Sequence, residues 1–180
     1  MKNLTPYLQQ FILHWGEMGT KWGINRTVAQ IHALLFTSED PINAEQICEM
    51  LGVARSNVSN SLKELQNWGI VKVVHIPGDR RDHFESMKDV YEMFRVIAAE
   101  RKKREVDPTL TMLRNCAEEA GESNSTTDDY ARERLGDLRE FFELVSNFYD
   151  QMNRLPTKSA VKVVKMGDKV IKAVGLIPGT

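Results

Sequence analysis

The stretch from Asn43 to Glu85 leaves this chain little choice of local fold. Asn43 with Gln46 three residues later forms a capping box that opens a short helix through Ile47, Glu49 and Leu51. Gly52 breaks that helix and Val53 turns inward. A second helix then runs from about Arg55 to Trp68, with Val58, Leu62 and Leu65 on its buried side and Gly69 as its stop. Ile70-Val71-Lys72-Val73-Val74-His75-Ile76 is β-branched and short, so it is expected as a strand. Pro77-Gly78-Asp79-Arg80 supplies turn chemistry, and Asp82-His83-Phe84-Glu85 can return antiparallel to the strand.

Helical periodicity extends to both sides. Leu4, Leu8, Phe11, Trp15 and Met18, with Ile12 beside them, form an apolar stripe on a helix ending near Gly19. Asn25 is placed to cap the next helix, which buries Val28, Ile31, Leu34 and Leu35. After the hairpin a helix begins near Lys88 with Tyr91, Phe94, Ile97 and Ala98 as its apolar face. Pro108 is expected to end or kink it, and Asp107-Pro108 to cap a helix from Thr109 to about Ala120. The polar run Gly121-Glu122-Ser123-Asn124-Ser125 precedes the longest helix, for which Thr126 and Asp129 offer a cap. In that helix Ala131, Leu135, Leu138, Phe142, Val145, Tyr149 and Met152 alternate steps of four and three, and Phe141, Leu144 and Phe148 widen the stripe. A last helix after Pro156 sets Ala160, Val163, Val164, Gly167, Val170, Ile171 and Val174 on one face and Lys158, Lys162, Lys165, Lys169 and Lys172 on the other.

Helix, four-residue turn, helix and a hairpin with a basic tip is the layout of a winged helix-turn-helix. The second helix of such a pair fits the DNA major groove, about 12 Å wide, while the hairpin reaches phosphates or the adjacent minor groove. With Val58, Leu62 and Leu65 inward, the outward side of the second helix holds Arg55, Ser56, Asn57, Ser59, Asn60 and Lys63. These are short hydrogen-bonding groups flanked by cations, and Arg80 and Arg81 add two more cations on the wing. The formal net charge of −1 conceals this distribution. From Ala54 to Arg81 five cations face two carboxylates, whereas from Glu105 to Pro156 twelve carboxylates face five arginines, as a polyanion-binding surface on an acidic scaffold would show. The run Arg101-Lys102-Lys103-Arg104 is expected as a solvated helix face.

The segment Ala44–Val71, with Ala44-Glu45-Gln46-Ile47-Cys48 entering the first helix and Arg55-Ser56-Asn57-Val58-Ser59-Asn60-Ser61-Leu62-Lys63 in the second, resembles the reading core of MarR-like transcriptional regulators. The wing Pro77-Gly78-Asp79-Arg80-Arg81-Asp82-His83-Phe84 resembles the GbsR-type branch of that superfamily, and the similarity covers roughly residues 24–86. The resemblance implies a dimeric regulator, a repressor or activator whose DNA affinity responds to a small molecule or to another cue. GbsR-like relatives point to a choline- or betaine-like effector, and Trp15, Trp22, Tyr91 and Phe94 are candidates for an aromatic cage around such a cation. Aromatics at helical spacing more often serve as core or dimer interface than as a cage. One departure from the family stands at Ala54, where a serine commonly caps the recognition helix; either packing holds Val53-Ala54 or Ser56 caps a later start.

The expected architecture is mainly α: a winged helix-turn-helix with a small antiparallel β-wing, plus N- and C-terminal dimerisation helices. Its divisions are residues 1–23 (packing and dimerisation), 24–87 (DNA binding) and 88–180 (dimerisation and effector response). The heptad stripes exceed what a domain of roughly 65 residues needs to cover itself, which points to a homodimer on a pseudo-palindromic duplex. A winged-helix protein-docking subunit and a non-specific architectural DNA binder are the alternatives. Nucleophile elbow, Walker loop, dinucleotide fingerprint and HExxH motif are all missing, so neither an enzyme nor a cofactor is expected. His14, His32, His75 and His83 lack the spacing of a helical metal site and are expected at surface or wing positions. Cys48 and Cys116 are expected as free residues filling apolar space. No run approaches the roughly 18 to 20 apolar residues of a membrane span, and Met1-Lys2-Asn3-Leu4-Thr5-Pro6 lacks a signal-peptide core, so a cytoplasmic protein is expected.

Overall fold

The computed structural model describes residues 4–122 and 129–173. They form two compact units, Met1–Val96 and Ile97–Thr180. The first contains helices α1 (Pro6–Lys21), α2 (Arg26–Thr37), α3 (Ala44–Leu51) and α4 (Arg55–Asn67), strands β1 (Ile42–Asn43), β2 (Val71–Val74) and β3 (His83–Ser86), and the start of α5 (Val90–Arg101). The second contains the end of α5, a π-helical turn (Lys102–Val106), α6 (Asp107–Glu122), α7 (Asp129–Arg154) and α8 (Thr157–Ala173).

Local signals act where they stand. The Asn25 side chain accepts from the Thr27 N–H at 2.8 Å and caps α2. At α3 both arms of the capping box form, Gln46 N–H to Asn43 at 3.0 Å and Asn43 N–H to Gln46 at 2.8 Å. The wing is a three-stranded antiparallel sheet of order β1-β3-β2, with Val73 opposite Phe84 and Ile42 on Phe84's other side. β1 is an addition to the expected hairpin. Its two residues are too few to carry a pattern, and they become a strand only because β3 lies alongside. Asn43 is thereby buried, pairing with His83 while capping α3.

The core of the first unit is α2. Every residue from Val28 to Leu35 is buried, well beyond the one expected face, because α1, α4 and β3 all pack on this helix. His32 is consequently interior, contrary to the expectation of a surface or wing position, whereas His83 does stand on the wing, buried on β3 with its Nδ1 3.0 Å from the Arg81 carbonyl oxygen. On α1 the deepest positions are Ile12, Gly16 and Gly19 rather than the Leu8–Met18 stripe, whose residues are only half-buried, and Leu4 precedes the helix. The two glycines bring the helices together: a Cβ on Gly19 would lie 2.5 Å from the Ala29 Cβ. Gly19→Val is therefore expected to force α1 off α2 and lower stability by about 1–3 kcal/mol, read as a lower urea midpoint.

On α5 the buried residue is Met93, while Tyr91 and Phe94 of the expected apolar face are exposed. Pro108 does not end the helical path. The five π-helical residues before it widen the turn, and the Asp107 N–H reaches back to the Lys102 carbonyl. This spacing relieves the clash of the proline ring with the preceding turn. Thr109 and Thr111 hydroxyls donate to the Glu105 and Asp107 carbonyls at 2.7 and 2.9 Å. Lys102 is not on a solvated face as expected. Its ammonium donates to Asp107 at 2.7 Å, lies 3.5 Å from Asp150 and sits over the Tyr149 ring. α6 buries Leu110 and Leu113, and α7 buries Ser146 alone. Ser123, Asn124, Ser125, the expected Thr126 cap and Val174 lie outside the described residues. Cys48 and Cys116 are free and half-buried. Among the described residues no helix is long and apolar enough to cross a membrane.

Candidate nucleic-acid interface

α3 ends at Gly52, whose φ of 69° only glycine adopts without strain, and the chain turns at once into α4. Ala54 is the N-cap in extended conformation with no side-chain cap, so α4 starts at Arg55 rather than later at Ser56. Packing sets its orientation. Val58, Ser61, Leu62 and Leu65 are buried, and Arg55, Ser56, Asn57, Ser59, Asn60 and Lys63 are all exposed. The six predicted α4 residues thus share one solvent-facing side of a helix held against α2 and α3.

The wing arginines differ. Asp79 grips Arg81 through Nε (2.9 Å), Nη2 and the Arg81 backbone N–H (3.0 Å). These bonds hold the Asp79 carboxyl well below the usual carboxylate range and push the Arg81 guanidinium up. Arg80 is exposed and, among the described residues, makes no ion pair, and the same is true of Lys63.

Glu45, in the first turn of α3, is not marked out by any sequence motif, yet it accepts from Arg55 Nη1 at 2.7 Å and from Arg81 Nη1 at 3.5 Å. The Arg55 hydrogen bond first, and the charges of both arginines with it, lower its pKa. Lys72 is likewise paired, with Glu85 at 2.7 Å. The positive excess between Ala54 and Arg81 is therefore smaller in space than along the chain, because Glu45 and Glu85 come from outside that interval and neutralise part of it. The one sequence signal available for Glu45 is an acid in the first turn of a helix that precedes a row of cations. Lys88 also escapes sequence reasoning: its ammonium donates to the Leu35, Phe36 and Ser38 carbonyls at 3.0, 3.1 and 2.6 Å, closing the C-terminus of α2.

Of the aromatic candidates, Trp15 and Trp22 meet edge to face at 5.8 Å, and Phe11 stacks beyond Trp15 at 5.6 Å. Tyr91 and Phe94 stand on α5 with more than half their surface exposed.

A helix-turn-helix capped by a three-stranded wing, with a polar, cation-flanked second helix turned to solvent, defines a winged-helix nucleic-acid-binding protein. The MarR family pattern matches residues 22–82, which run from before the start of α2 to the wing tip and stop just short of β3. The chain carries a MarR-family domain over these residues, the DNA-binding domain of a transcriptional regulator, and is similar over more of its length to two HTH-type regulators. It is 23% identical over 137 residues to the HTH-type transcriptional repressor GbsR of Bacillus subtilis (strain 168), covering 74% of this chain and 75% of that one. It is 21% identical over 150 residues to the putative HTH-type transcriptional regulator YvaV of the same strain, covering 81% and 82%. A crystal structure of a transcriptional regulator superposes with a TM-score of 0.62 at 16% identity, covering 82% of this chain and 96% of that one, a likeness of fold.

Proposed function

We propose that the protein is a dimeric repressor that binds a pseudo-palindromic duplex through α4 and the wing and releases it in response to a small molecule. The observation that carries this is the exposed row Arg55, Ser56, Asn57, Ser59, Asn60 and Lys63 on a helix whose other side is locked into the core. In this function Asn57 and Asn60 contact base edges, Ser56 and Ser59 support them, and Arg55, Lys63, Arg80 and Arg81 contact phosphates or the minor groove. The repressor GbsR supports the choice of repression over activation. Exposed Leu138, Phe141, Leu144, Val145 and Phe148 on α7, with Val163 and Met166 on α8, support association of two copies. A two-fold axis would then set two α4 helices about 34 Å apart, one duplex turn, or a multiple of it. Residues 1–23, 24–87 and 88–180 divide the work into packing, reading and dimerisation with effector response, and a duplex ligand implies a cytoplasmic site of action. Trp15, Trp22, Tyr91 and Phe94 are the residues proposed for a choline- or betaine-like effector.

Selection of bound duplexes from a random pool at physiological salt tests this. A recovered inverted repeat is the expected result. Salt-dependent binding without preference would favour an architectural role, and no duplex binding a protein-docking one. On the recovered duplex Asn57→Ala and Asn60→Ala should each cost about 1–3 kcal/mol of discrimination. Arg80→Ala should weaken all duplexes alike and flatten the salt slope by about 0.9. Neutral asparagine variants would mean that α4 docks in another orientation.

A further inference from the structure

We propose that Glu45 is a specificity-determining positioning residue that ties the recognition helix to the wing and fixes the reach of Arg55 relative to Arg81. Glu45 acts within the duplex-binding function proposed above. The three residues come from three elements, the first turn of α3, the first residue of α4 and the loop between β2 and β3, and they line one open cleft with Asn43, Lys63 and Val73. One carboxylate oxygen takes Arg55 and the other takes Arg81, which Asp79 already holds from its far side.

A carboxylate so placed could either block the arginines or aim them, and donor counting favours aiming. A guanidinium has five N–H donors. Arg55 uses one nitrogen, Nη1, on Glu45 and leaves Nε and Nη2 available. Arg81 commits Nε and one N–H of Nη2 to Asp79 and points Nη1 at Glu45, which leaves N–H groups on both terminal nitrogens. Each arginine can therefore contact DNA without releasing Glu45. An unrestrained arginine would lose rotamer freedom on binding, whereas these two are already ordered. The same negative charge disfavours loose, purely electrostatic capture, in which phosphates approach without the register that α4 imposes. Glu45 thus favours the matched complex and disfavours the unmatched one, and both effects separate the two affinities.

Glu45→Gln keeps size and one acceptor and removes the charge. The side chain is half exposed and α3 retains its capping box, so the variant is expected to fold, with an unchanged thermal midpoint as the check. Fluorescence anisotropy would compare a duplex recovered from the random pool with a shuffled duplex of the same composition, over a salt series. Glu45→Gln should weaken the recovered duplex about fivefold, bind the shuffled one as well or up to about twofold better, and so reduce selectivity about five- to tenfold. The salt slope should steepen by about 0.9 as one more cation is left uncompensated. In an Arg55→Ala, Arg81→Ala background the same change should leave selectivity where it was. An unchanged ratio of the two affinities, or an equal gain on both duplexes, would overturn the proposal, since Glu45 would then be inert or a simple electrostatic brake. If the unaltered protein fails to prefer the recovered duplex, the duplex-binding function itself falls, which that measurement alone reveals.

Discussion

Acidification from pH 7 to pH 4 should remove about 3 kcal/mol of stability through His32 alone. His32 stands on α2 inside the fully buried run Val28–Leu35, 4% exposed, with the Phe36 ring 6.2 Å away and, among the described residues, no hydrogen-bond partner for Nε2. Burial disfavours the imidazolium and lowers the pKa from 6.5 to about 4. The unfolded chain therefore takes up the proton first. The stability associated with a neutral His32 is fully present above pH 6.5, declines as the pH falls through the interval and levels off below 4. Every tenfold difference in proton affinity between the folded and unfolded chain is worth about 1.4 kcal/mol. Asp79 and Glu45, whose pKa values are lowered by arginine, add acid sensitivity of the same sign at still lower pH. His32→Leu separates the contributions. Urea titrations at pH 7, 5 and 4 should show the variant losing about 3 kcal/mol less than the unaltered protein across that range. Parallel losses in the two proteins would mean that His32 is solvated or paired in solution.

The burial of His32 also shows where sequence stops being informative. Val28, Ile31, Leu34 and Leu35 mark one face of α2 by their spacing, but the burial of Ala29, Gln30, His32 and Ala33 depends on α1, α4 and β3 closing over the other sides. Capping and turn signals are legible because their physics is confined to a few neighbouring residues: the Asn43–Gln46 box, the Asn25 cap, and the left-handed Gly52 and Gly69. The inward set Val58, Leu62 and Leu65 is legible for a similar reason, as period alone orients a helix of this length. Contacts between distant residues are not. Glu45 meets partners 10 and 36 positions away, Lys88 reaches carbonyls some 50 positions back, and β1 exists only through β3. At Pro108 the interruption is legible, since α5 stops and α6 starts at Asp107, but its form, five preceding residues in π geometry, is not. Arg55 and Arg81 can be found by type, but their pairing with Glu45 is invisible until the turn between α3 and α4 brings the helix starts together.

Phe141→Glu combined with Phe148→Glu should convert the proposed dimer to a monomer. α7 is 26 residues long, yet among its described side chains only Ser146 is buried, while Phe141, Leu144 and Phe148 are 58%, 67% and 63% exposed. Leu138, Phe141, Val145 and Phe148 advance by three, four and three, the spacing of a helix seam that meets another helix. Covering one such side chain contributes about 1.5–3 kcal/mol, and a two-fold axis would place each of them in the interface twice. A carboxylate at the same position must be desolvated without a partner, so the substitutions reverse the sign of the contribution rather than merely removing it. The folded protomer should tolerate them, because both positions face solvent within it. Sedimentation equilibrium should therefore report half the mass at an unchanged thermal midpoint, after allowance for the loss of any coupling between folding and association. On an inverted-repeat duplex the apparent affinity should fall by about 10²–10⁴, since two half-site contacts are no longer linked. The affinity for a single half-site should stay the same. A double variant that remains dimeric would place the interface on another face, and an unaltered protein that sediments as a monomer would remove the geometric reason for a palindromic site.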